Sequence, residues 1–513
     1  PPAAPAPRAA APIPAAAEAG AAPSPPPPLP PKYHERRRLS LAEVPELIDH
    51  AFFVQREGTG TPNDRFPVVP MTMMIQMFVD TATALGGGRV VVGLQNVRAL
   101  RWLAVEPPVE VDITAAWEDA DRVKVAIEGY ARATVVLADA YAAPPAADSA
   151  PLTDETAPPH TAHELYAQRW MFHGPGYQGV TAMHAMGTDG LRATVTCRPA
   201  PGALLDAAGQ LLGYWIECNS TEDRIALPMR IDRIDFHAPH PEPGAELSCV
   251  VRFTEVNETD ARGNVDLVRD GTVWARLTNF VDRRFESTNA VFRVMTFPEE
   301  NLLAERRDGF WVVHEPWRSS ASRDLLARRY LDEDERAEYF ALTPKAQRDW
   351  ILGRIAVKDA VRDLLWQRGH GPIFPLEVQV RNDEAGRPLV TLPDGRAMAV
   401  SLSHRTGVAV AALGDGTDVG IDLEVIEPRS DTFASMCLAD DERALGAGLD
   451  RDVFVARAWT AKEAVAKADG TGLQGRPKDF VVRQIDGDWT LVNDRWVHTT
   501  QEGDLIVSTV RQR

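Results

Sequence analysis

The hydrophobic pattern of residues 33–286 contains one arrangement twice, in which a long helix-like run precedes several short strand-like runs. The helix-like runs are Met71 to Leu85, directly after Pro70, and Leu204 to Glu217. Each is mostly apolar and about four turns long, which predicts a buried helix. The other runs are short, rich in β-branched residues and bounded by turn residues, which predicts antiparallel strands. The predicted strands are Val90 to Val97, Val109 to Trp117, Val123 to Leu137, Ile231 to Phe236, Leu247 to Phe253, Asn264 to Val268 and Val273 to Phe280.

A long helix followed by antiparallel strands, present twice, is typical of two hotdog folds in tandem. From about Asn289 to Arg513 the pattern changes to charged helices, notably Ser320 to Phe340 and Ala346 to Arg368. Residues 1–32 are nearly all Pro and Ala, and they lack an initiator Met. Such a composition predicts a semi-extended linker, here in a piece of a longer polypeptide. The fold class is therefore α+β, with a double hotdog over 33–286 and a separate α/β domain over 289–513.

Charge and cysteine content exclude several classes of function. The net charge is −18, and the acidic residues are spread along the chain, which argues against a nucleic-acid-binding surface. The four cysteines show no C-x-x-C spacing, so a disulfide scaffold or zinc ribbon is not expected and a reducing cytoplasm fits. No apolar run reaches the roughly 18 residues of a membrane span.

The strongest chemical signal lies between Val419 and Lys467. Asp422 and Glu424 are two apart on a predicted strand, so they share one face. Glu463 and Lys467 are four apart on a predicted helix and also share a face. Three carboxylates that converge on one point form a site for a hard cation such as Mg²⁺, and a lysine beside it suits a pyrophosphate.

These segments, Gly420 to Glu424 and Trp459 to Lys467, resemble the paired signatures of the Sfp-type 4′-phosphopantetheinyl transferases. Ser401 to His404 is similar to the S-H motif of that family, Gly386 to Pro388 to its G-K/R-P motif, and Gly353 to Ala360 to its G-R-x-A-x-K helix. The resemblance covers nearly all of 289–513. It implies a pseudo-symmetric α/β domain of two lobes.

The resemblance also implies an activity and the residues that carry it. The phosphopantetheine arm of coenzyme A passes to a serine of an acyl carrier protein, and Glu463 is the expected base for the serine proton. The implied ligands of Mg²⁺ are Asp422, Glu424 and Glu463. The implied contacts to coenzyme A are Arg387, Ser403, His404 and Lys467, with Lys462 as a contact to phosphate or carrier and Lys358 as a further phosphate contact.

Residues 33–284 resemble the dehydratase domain of a polyketide synthase. Asp49-His50, followed by Phe66 to Pro70, is similar to the H-x-x-x-G-x-x-x-x-P motif of the first hotdog if Val54 to Arg65 is an insertion. Phe172 to Pro175 is similar to the H/Y-G-P turn, and Leu204 to Gln210 to the L-L-D-x-x-x-Q motif. The order of the two domains resembles the C-terminal end of iterative synthases of the enediyne type.

This second resemblance implies loss of water from a β-hydroxyacyl thioester. His50 takes the α-proton, and Asp206, kept protonated by burial, gives a proton to the leaving hydroxyl. Gln210, four residues on, fixes the Asp206 carboxyl group, and backbone N–H groups around Gly174 hold the thioester carbonyl. His173 is interpreted as a structural residue of the turn. A homodimer through the hotdogs is expected by analogy.

An alternative from a different class stays open. In that alternative the hotdog region only docks a carrier or forms a dimer, and the transferase is the one enzyme. Gln76 favours it, because many relatives have an acidic residue at this place on the first hotdog helix.

Overall fold

The computed structural model describes residues 32–384, 386–414 and 418–513. The predicted linker, apart from Lys32, lies outside the described residues. Within the described ranges, no helix is both long and apolar enough to cross a bilayer.

The first part of the chain folds as one continuous antiparallel sheet that holds two long helices. The sheet has eleven strands in the order β1-β3-β4-β5-β2-β8-β11-β10-β9-β7-β6. Pairing of β2 with β8 joins the two halves. The strands are β1 (Tyr33–Leu39), β2 (Val90–Ala99), β3 (Val109–Trp117), β4 (Arg122–Ile127), β5 (Ala131–Ala138), β6 (Val180–Gly187), β7 (Gly190–Thr196), β8 (Ile225–Phe236), β9 (Glu246–Val256), β10 (Asp260–Arg269) and β11 (Thr272–Phe285). The helices are α1 (Pro62–Arg65), α2 (Met71–Leu85), α3 (Ala162–Ala167) and α4 (Ala203–Asn219).

The two long helices, α2 and α4, are the predicted buried helices, and each packs on strands of its own half, so this part is a double hotdog. Their close approach depends on Gly202, which precedes α4 with φ of +75°. A Cβ on Gly202 would clash with the backbone at Thr72 and Met73, in the first turn of α2. The glycine therefore lets the start of α4 lie directly against the start of α2, which brings Asp206 close to Thr72.

The second part has two smaller antiparallel sheets, each covered by one long helix. The sheet orders are β12-β13-β17-β16-β15-β14 and β18-β22-β21-β20-β19. Helix α8 packs on the first sheet and α11 on the second, so this part has two lobes. The helices are α5 (Asn289–Thr296), α6 (Ser320–Tyr330), α7 (Glu333–Ala341), α8 (Pro344–Gln367), α9 (Asp431–Cys437), α10 (Asp440–Ala444) and α11 (Arg451–Ala468). The strands are β12 (Glu305–Arg307), β13 (Phe310–His314), β14 (Gln379–Asn382), β15 (Pro388–Thr391), β16 (Ala397–Arg405), β17 (Val408–Gly414), β18 (Ile421–Val425), β19 (Val482–Asp486), β20 (Trp489–Val492), β21 (Arg495–Glu502) and β22 (Leu505–Val510).

Two predicted elements are divided in the structure. The run Val123 to Leu137 is a hairpin, β4 and β5, because Gly129 supplies a positive φ at the turn. The predicted helix Ser320 to Phe340 is two helices, because Asp332 leaves the helical conformation and caps α7 through Glu335. A single amphipathic pattern does not reveal an internal cap of this kind.

The segment 54–65, expected as an insertion, contacts the second part of the chain. Asp64 Oδ1 lies 2.9 Å from Arg336 Nη1, and both side chains are buried. Arg329, also buried, donates to the carbonyl of Val54 (3.0 Å). Leu325 of α6 belongs to one apolar cluster with Phe53, Phe66 and Val68. This segment therefore connects the double hotdog to helices α6 and α7.

Candidate functional sites

His50 ends a short 3₁₀ helix, Pro45–His50, and is 6% exposed. Its Nδ1 lies 2.9 Å from the carbonyl oxygen of Val68. A carbonyl only accepts, so Nδ1 carries the proton and Nε2 keeps its lone pair. Nε2 lies 3.8 Å from Asp206 Oδ1, so the structure brings the predicted pair together from the two hotdogs.

Asp206 lies in the first turn of α4, where hydrogen bonds hold both of its oxygens. The amide of Gln210 donates to Oδ2 (2.9 Å) and also to the carbonyl of Tyr177 (2.8 Å). Tyr166 in turn donates to the amide oxygen of Gln210 (2.7 Å). The i,i+4 contact expected from the sequence is therefore present. The Gln210 amide is itself held in place, its nitrogen by Tyr177 and its oxygen by Tyr166.

His173 is part of this cluster, although the sequence indicated only a structural turn residue. Its Nε2 lies 3.1 Å from Asp206 Oδ2, and its ring stacks on Phe172 with the centroids 4.0 Å apart. Its Nδ1 is buried and has no hydrogen-bond partner among the described residues. One ligand atom from each of His50, His173 and Asp206 lies within 4.8 Å of the others. In the sequence, the turn motif Phe172 to Pro175 was the feature that marked the position of His173.

The charges in this cluster contradict one expectation, that burial keeps Asp206 protonated. Burial does act to raise the pKa of Asp206, but the charge and hydrogen bond of His173, with smaller contributions from His50 and Gln210, lower it to about 2. Burial lowers the pKa of His50 to about 4, against the opposing charge of Asp206. His50 is therefore a neutral imidazole near pH 7, and Asp206 is a carboxylate that faces two imidazoles.

Gly174 does not offer its N–H to a ligand, which corrects the expected thioester contact. That N–H donates to the carbonyl of Asp49 (2.8 Å), and the N–H of Gly176 donates to Asp49 Oδ2 (2.8 Å). A Cβ on Gly174 would clash with Asp49. The glycines therefore let the turn pack against the residue before His50, and this contact holds His173 beside the pair.

A cavity of about 160 Å³ opens onto these groups. It follows one face of α4 from Asp206 to Glu217, a rise of roughly 16 Å. Two acidic residues that line it, Glu217 and Asp282, belong to no motif recognised in the sequence. Burial raises the pKa of Asp282 to about 7, and it also raises the pKa of Glu217. Each has a buried oxygen without a hydrogen-bond partner in the described part of the chain.

In the second part of the chain, Gly420 positions the predicted acidic strand. A Cβ on Gly420 would clash with the carbonyl of Ala464 on α11. The start of β18 therefore lies directly against α11, and Lys467 of α11 reaches Asp422 of β18, with Nζ 2.7 Å from Oδ1. Ser403 of β16 donates to the same oxygen (2.9 Å).

The three predicted metal ligands lie near one another without converging. Glu424 forms ion pairs with Arg429 (3.0 Å) and Arg405 (3.4 Å). Within the described ranges, the side chain of Glu463 makes no hydrogen bond or ion pair. Burial, followed by the charge of Asp422 and a smaller one of Glu424, raises the pKa of Glu463, so the three carboxylates repel one another. Their oxygens do not all come within 4.8 Å, because Asp422 and Glu424 are turned toward cations of the chain.

A cavity of about 470 Å³ between the two lobes collects most of the expected coenzyme A contacts. Arg387, His404 and Lys467 line it, whereas Ser403 is turned to Asp422. Arg354 lines it as well and lies over the ring of Trp350, 4.3 Å from its centroid. The expected helix motif contained Arg354, but the phosphate contact was assigned to its Lys358.

Lys358 and Lys462 are fully buried, which corrects both expected phosphate contacts. Lys358 Nζ lies 2.6 Å from Glu335 Oε2, and Lys462 Nζ lies 2.7 Å from Glu442 Oε1. Each lysine also donates to two backbone carbonyls, of Tyr330 and Pro375 in one lobe and of Cys437 and Pro477 in the other. The two lobes thus repeat one arrangement, a buried lysine–glutamate pair on the long helix. Each pair holds its helix, α8 or α11, in its lobe.

Both parts of the chain have matches among known proteins. Residues 418–504 match the family model of the 4′-phosphopantetheinyl transferase superfamily. 4′-Phosphopantetheinyl transferase HetI of Nostoc sp. is 30% identical over 185 residues, which are 34% of this chain and 73% of HetI. A holo-[acyl-carrier-protein] synthase of Geobacillus sp. is 31% identical over 85 residues, 16% of this chain and 71% of that protein.

Residues 141–290 match the family model of the polyketide synthase dehydratase N-terminal domain. Among solved structures, the dehydratase domain of a mycocerosic acid synthase-like polyketide synthase is 19% identical, with a TM-score of 0.39, over 51% of this chain and 93% of that chain. The dehydratase domain of the CurJ module of curacin polyketide synthase is 14% identical, with a TM-score of 0.41, over 50% of this chain and 93% of that chain. The chain belongs to the 4′-phosphopantetheinyl transferase superfamily, and it carries a polyketide synthase dehydratase domain ahead of the transferase.

Proposed function

We propose that residues 289–513 transfer the 4′-phosphopantetheine arm of coenzyme A to a serine of an acyl carrier protein. The observation that carries this proposal is the cavity between the lobes, where Arg387, His404 and Lys467 present cationic or hydrogen-bonding groups. The charge of Lys467 also acts on Glu463. Three such groups suit the phosphates of coenzyme A. In the reaction the serine oxygen attacks the phosphorus next to the pantetheine. The bond from that phosphorus to the bridging oxygen breaks, and 3′,5′-adenosine bisphosphate leaves.

The residues present fit a divalent cation. Asp422, Glu424 and Glu463 supply hard oxygen ligands, and Glu463 has no partner of its own in the described chain, although two other carboxylates face it. Bound there, Mg²⁺ supplies charge neutralisation at the pyrophosphate. Lys467 neutralises further negative charge, and Glu463, whose pKa is raised, takes the serine proton.

The transfer is tested by the mass of an acyl carrier protein after incubation with coenzyme A and magnesium. We expect the mass of one phosphopantetheine arm less water to be added. Glu463→Gln abolishes this gain, and removal of magnesium by a chelator does the same. Glu300→Gln, at an exposed glutamate outside the cavity, is the matched control and loads the carrier as the wild type does. A carrier that stays unmodified by the wild type would reject the proposal.

We further propose that residues 33–286 dehydrate β-hydroxyacyl thioesters. The supporting observation is that His50 and Asp206, one from each hotdog, face each other in a buried cavity. The neutral Nε2 of His50 takes the α-proton. The proton for the leaving hydroxyl comes from the pair of Asp206 and His173, which holds a hydrogen bond between Oδ2 and Nε2. The electrons of the C–H bond form the double bond as the C–O bond breaks and water leaves.

The docking alternative is less favoured, because a docking surface needs no buried histidine–carboxylate cluster inside a cavity. Dehydration of a β-hydroxyacyl thioester, followed through the absorbance of the enoyl product, separates the two proposals. His50→Phe and Asp206→Asn are expected to lose the activity, whereas His163→Asn, at an exposed histidine, keeps it. A wild type that dehydrates no such thioester would favour the docking alternative.

A further inference from the structure

A third cavity, of about 620 Å³, lies where the dehydratase sheet meets helix α6 of the transferase. Arg101 and Arg283 line it from the dehydratase, and Arg328 lines it from α6. It adjoins the catalytic cavity. The residues that line both are Ala99, Arg101, Trp102, Leu227 and Pro228. The two cavities therefore share a wall at Trp102, which separates the cationic groups from the cavity of His50.

The three arginines form no ion pair with a carboxylate of the described chain. Arg101 lies over the ring of Tyr130 (4.4 Å), and Arg328 over the ring of Phe66 (4.1 Å). The cavity also contains Asp324, but that carboxylate accepts the hydroxyl of Tyr339 (2.8 Å). Guanidinium groups that line one cavity without a carboxylate ion-pair partner are suited to a phosphate.

Strand β11 lines both cavities. Phe280, beside Gly209 of α4, and Asp282 line the catalytic cavity, whereas Arg283 and Phe285, which alternate with them along the strand, line the cationic cavity. From Phe280 to Phe285 the strand rises roughly 17 Å. Asp282 is 1% exposed and has no hydrogen-bond partner for Oδ1 among the described residues. A buried carboxyl oxygen in that state is available to a polar partner from a ligand.

We propose that the cationic cavity binds the phosphodiester of a carrier's phosphopantetheine arm, which delivers the thioester to His50 and Asp206. This inference rests on the proposed dehydration. The arm carries one anion at its base, two amides along its length and a thioester at its end. The anion meets Arg101, Arg283 and Arg328, an amide satisfies Asp282, and the thioester reaches the catalytic cluster. Helix α6 of the transferase thus completes the substrate entrance of the dehydratase.

The test compares two stable ligands, a β-hydroxyacyl amide of phosphopantetheine and the same amide of pantetheine, which lacks the phosphate. Their affinities are measured for the wild type, Arg328→Gln and Arg318→Gln. Arg318 is exposed just before α6, lies outside the cavity and is the matched control. All three proteins keep the same coenzyme A site, so a difference between their ratios reports the cationic cavity. Thermal unfolding checks that each variant is folded.

We expect the wild type to prefer the phosphorylated ligand by about tenfold or more, and Arg328→Gln to reduce this ratio by roughly fivefold. Arg318→Gln keeps the wild-type ratio. An unchanged ratio in Arg328→Gln, or no preference in the wild type, would overturn the inference. Because binding needs no turnover, a wild type that dehydrates nothing, together with a phosphate preference that Arg328→Gln reduces, would refute the proposed dehydration and leave the cavity assignment standing.

Discussion

His173 Nε2 lies 3.1 Å from Asp206 Oδ2, while His50 Nε2 lies 3.8 Å from the other oxygen of the same carboxylate. Asp206 therefore lies between two imidazoles rather than opposite one. The two histidines are held differently. Burial keeps His50 neutral near pH 7, and its bond to the carbonyl of Val68 fixes the proton on Nδ1, whereas His173 stacks on Phe172 and points Nε2 at the carboxylate.

The first prediction concerns the pH dependence of dehydration. The pKa of His50 is lowered from 6.5 to about 4, so the imidazole stays deprotonated and competent as a base down to about pH 4. We expect kcat/KM to be level through pH 6.5 and to fall only as the pH approaches 4. Measurement of kcat/KM between pH 4 and 8 checks this. An acidic limb centred near 6.5 would show that His50 titrates as an ordinary histidine.

The second prediction concerns His173. Its replacement in His173→Leu removes the group that most opposes the effect of burial on Asp206, so the pKa of Asp206 rises. We expect kcat for dehydration to fall by about 10²–10⁴-fold, the usual size of an acid–base contribution. The carboxyl resonance of Asp206, followed by NMR, titrates at higher pH than in the wild type. His163→Leu serves as the control, and a change in rate without a change in that titration would indicate a packing role only.

The third prediction concerns the stability of the fold near Asp282. Its pKa is raised from 3.8 to about 7, so the folded state binds a proton that the unfolded state has lost. Stability from this group is complete below pH 3.8 and is lost as the pH rises to about 7. Between pH 5 and 8 we expect the wild type to lose roughly 2–3 kcal/mol relative to Asp282→Asn. Urea unfolding of both proteins at several pH values measures the difference, and parallel curves would refute it.

The fourth prediction separates the two lysines of the transferase signature. Lys462→Met leaves Glu442 buried and unpaired, which costs about 3–5 kcal/mol of unfolding free energy. Lys467→Met removes a partly exposed group of the coenzyme A cavity, so it raises KM for coenzyme A, and it costs less stability because Ser403 still donates to Asp422. Denaturant unfolding and carrier-loading kinetics on both variants provide the comparison. Equal losses of stability would contradict the assignment of Lys467 to the cavity.

The sequence by itself determined the elements and most of the chemical groups. The predicted helix Met71–Leu85 and strand Val109–Trp117 are present with the predicted ends, because burial of one face imposes a period that composition reveals. The i,i+4 contact of Asp206 with Gln210 follows from helix geometry alone. Local spacing is sufficient wherever the partners lie within one helix or strand.

Only the tertiary structure decided which groups meet and which are exposed. His173 joins Asp206 because two glycines let its turn pack on Asp49, a contact between segments more than a hundred residues apart. Lys462 and Lys467 lie on the same helix, yet one is fully buried against Glu442 and the other reaches a cavity between lobes. A helical period gives the direction of a side chain but not what lies there, because the neighbour comes from a distant part of the chain. For the same reason, the cationic cavity, which needs Arg328 beside Arg101, exists only once the two domains are packed together.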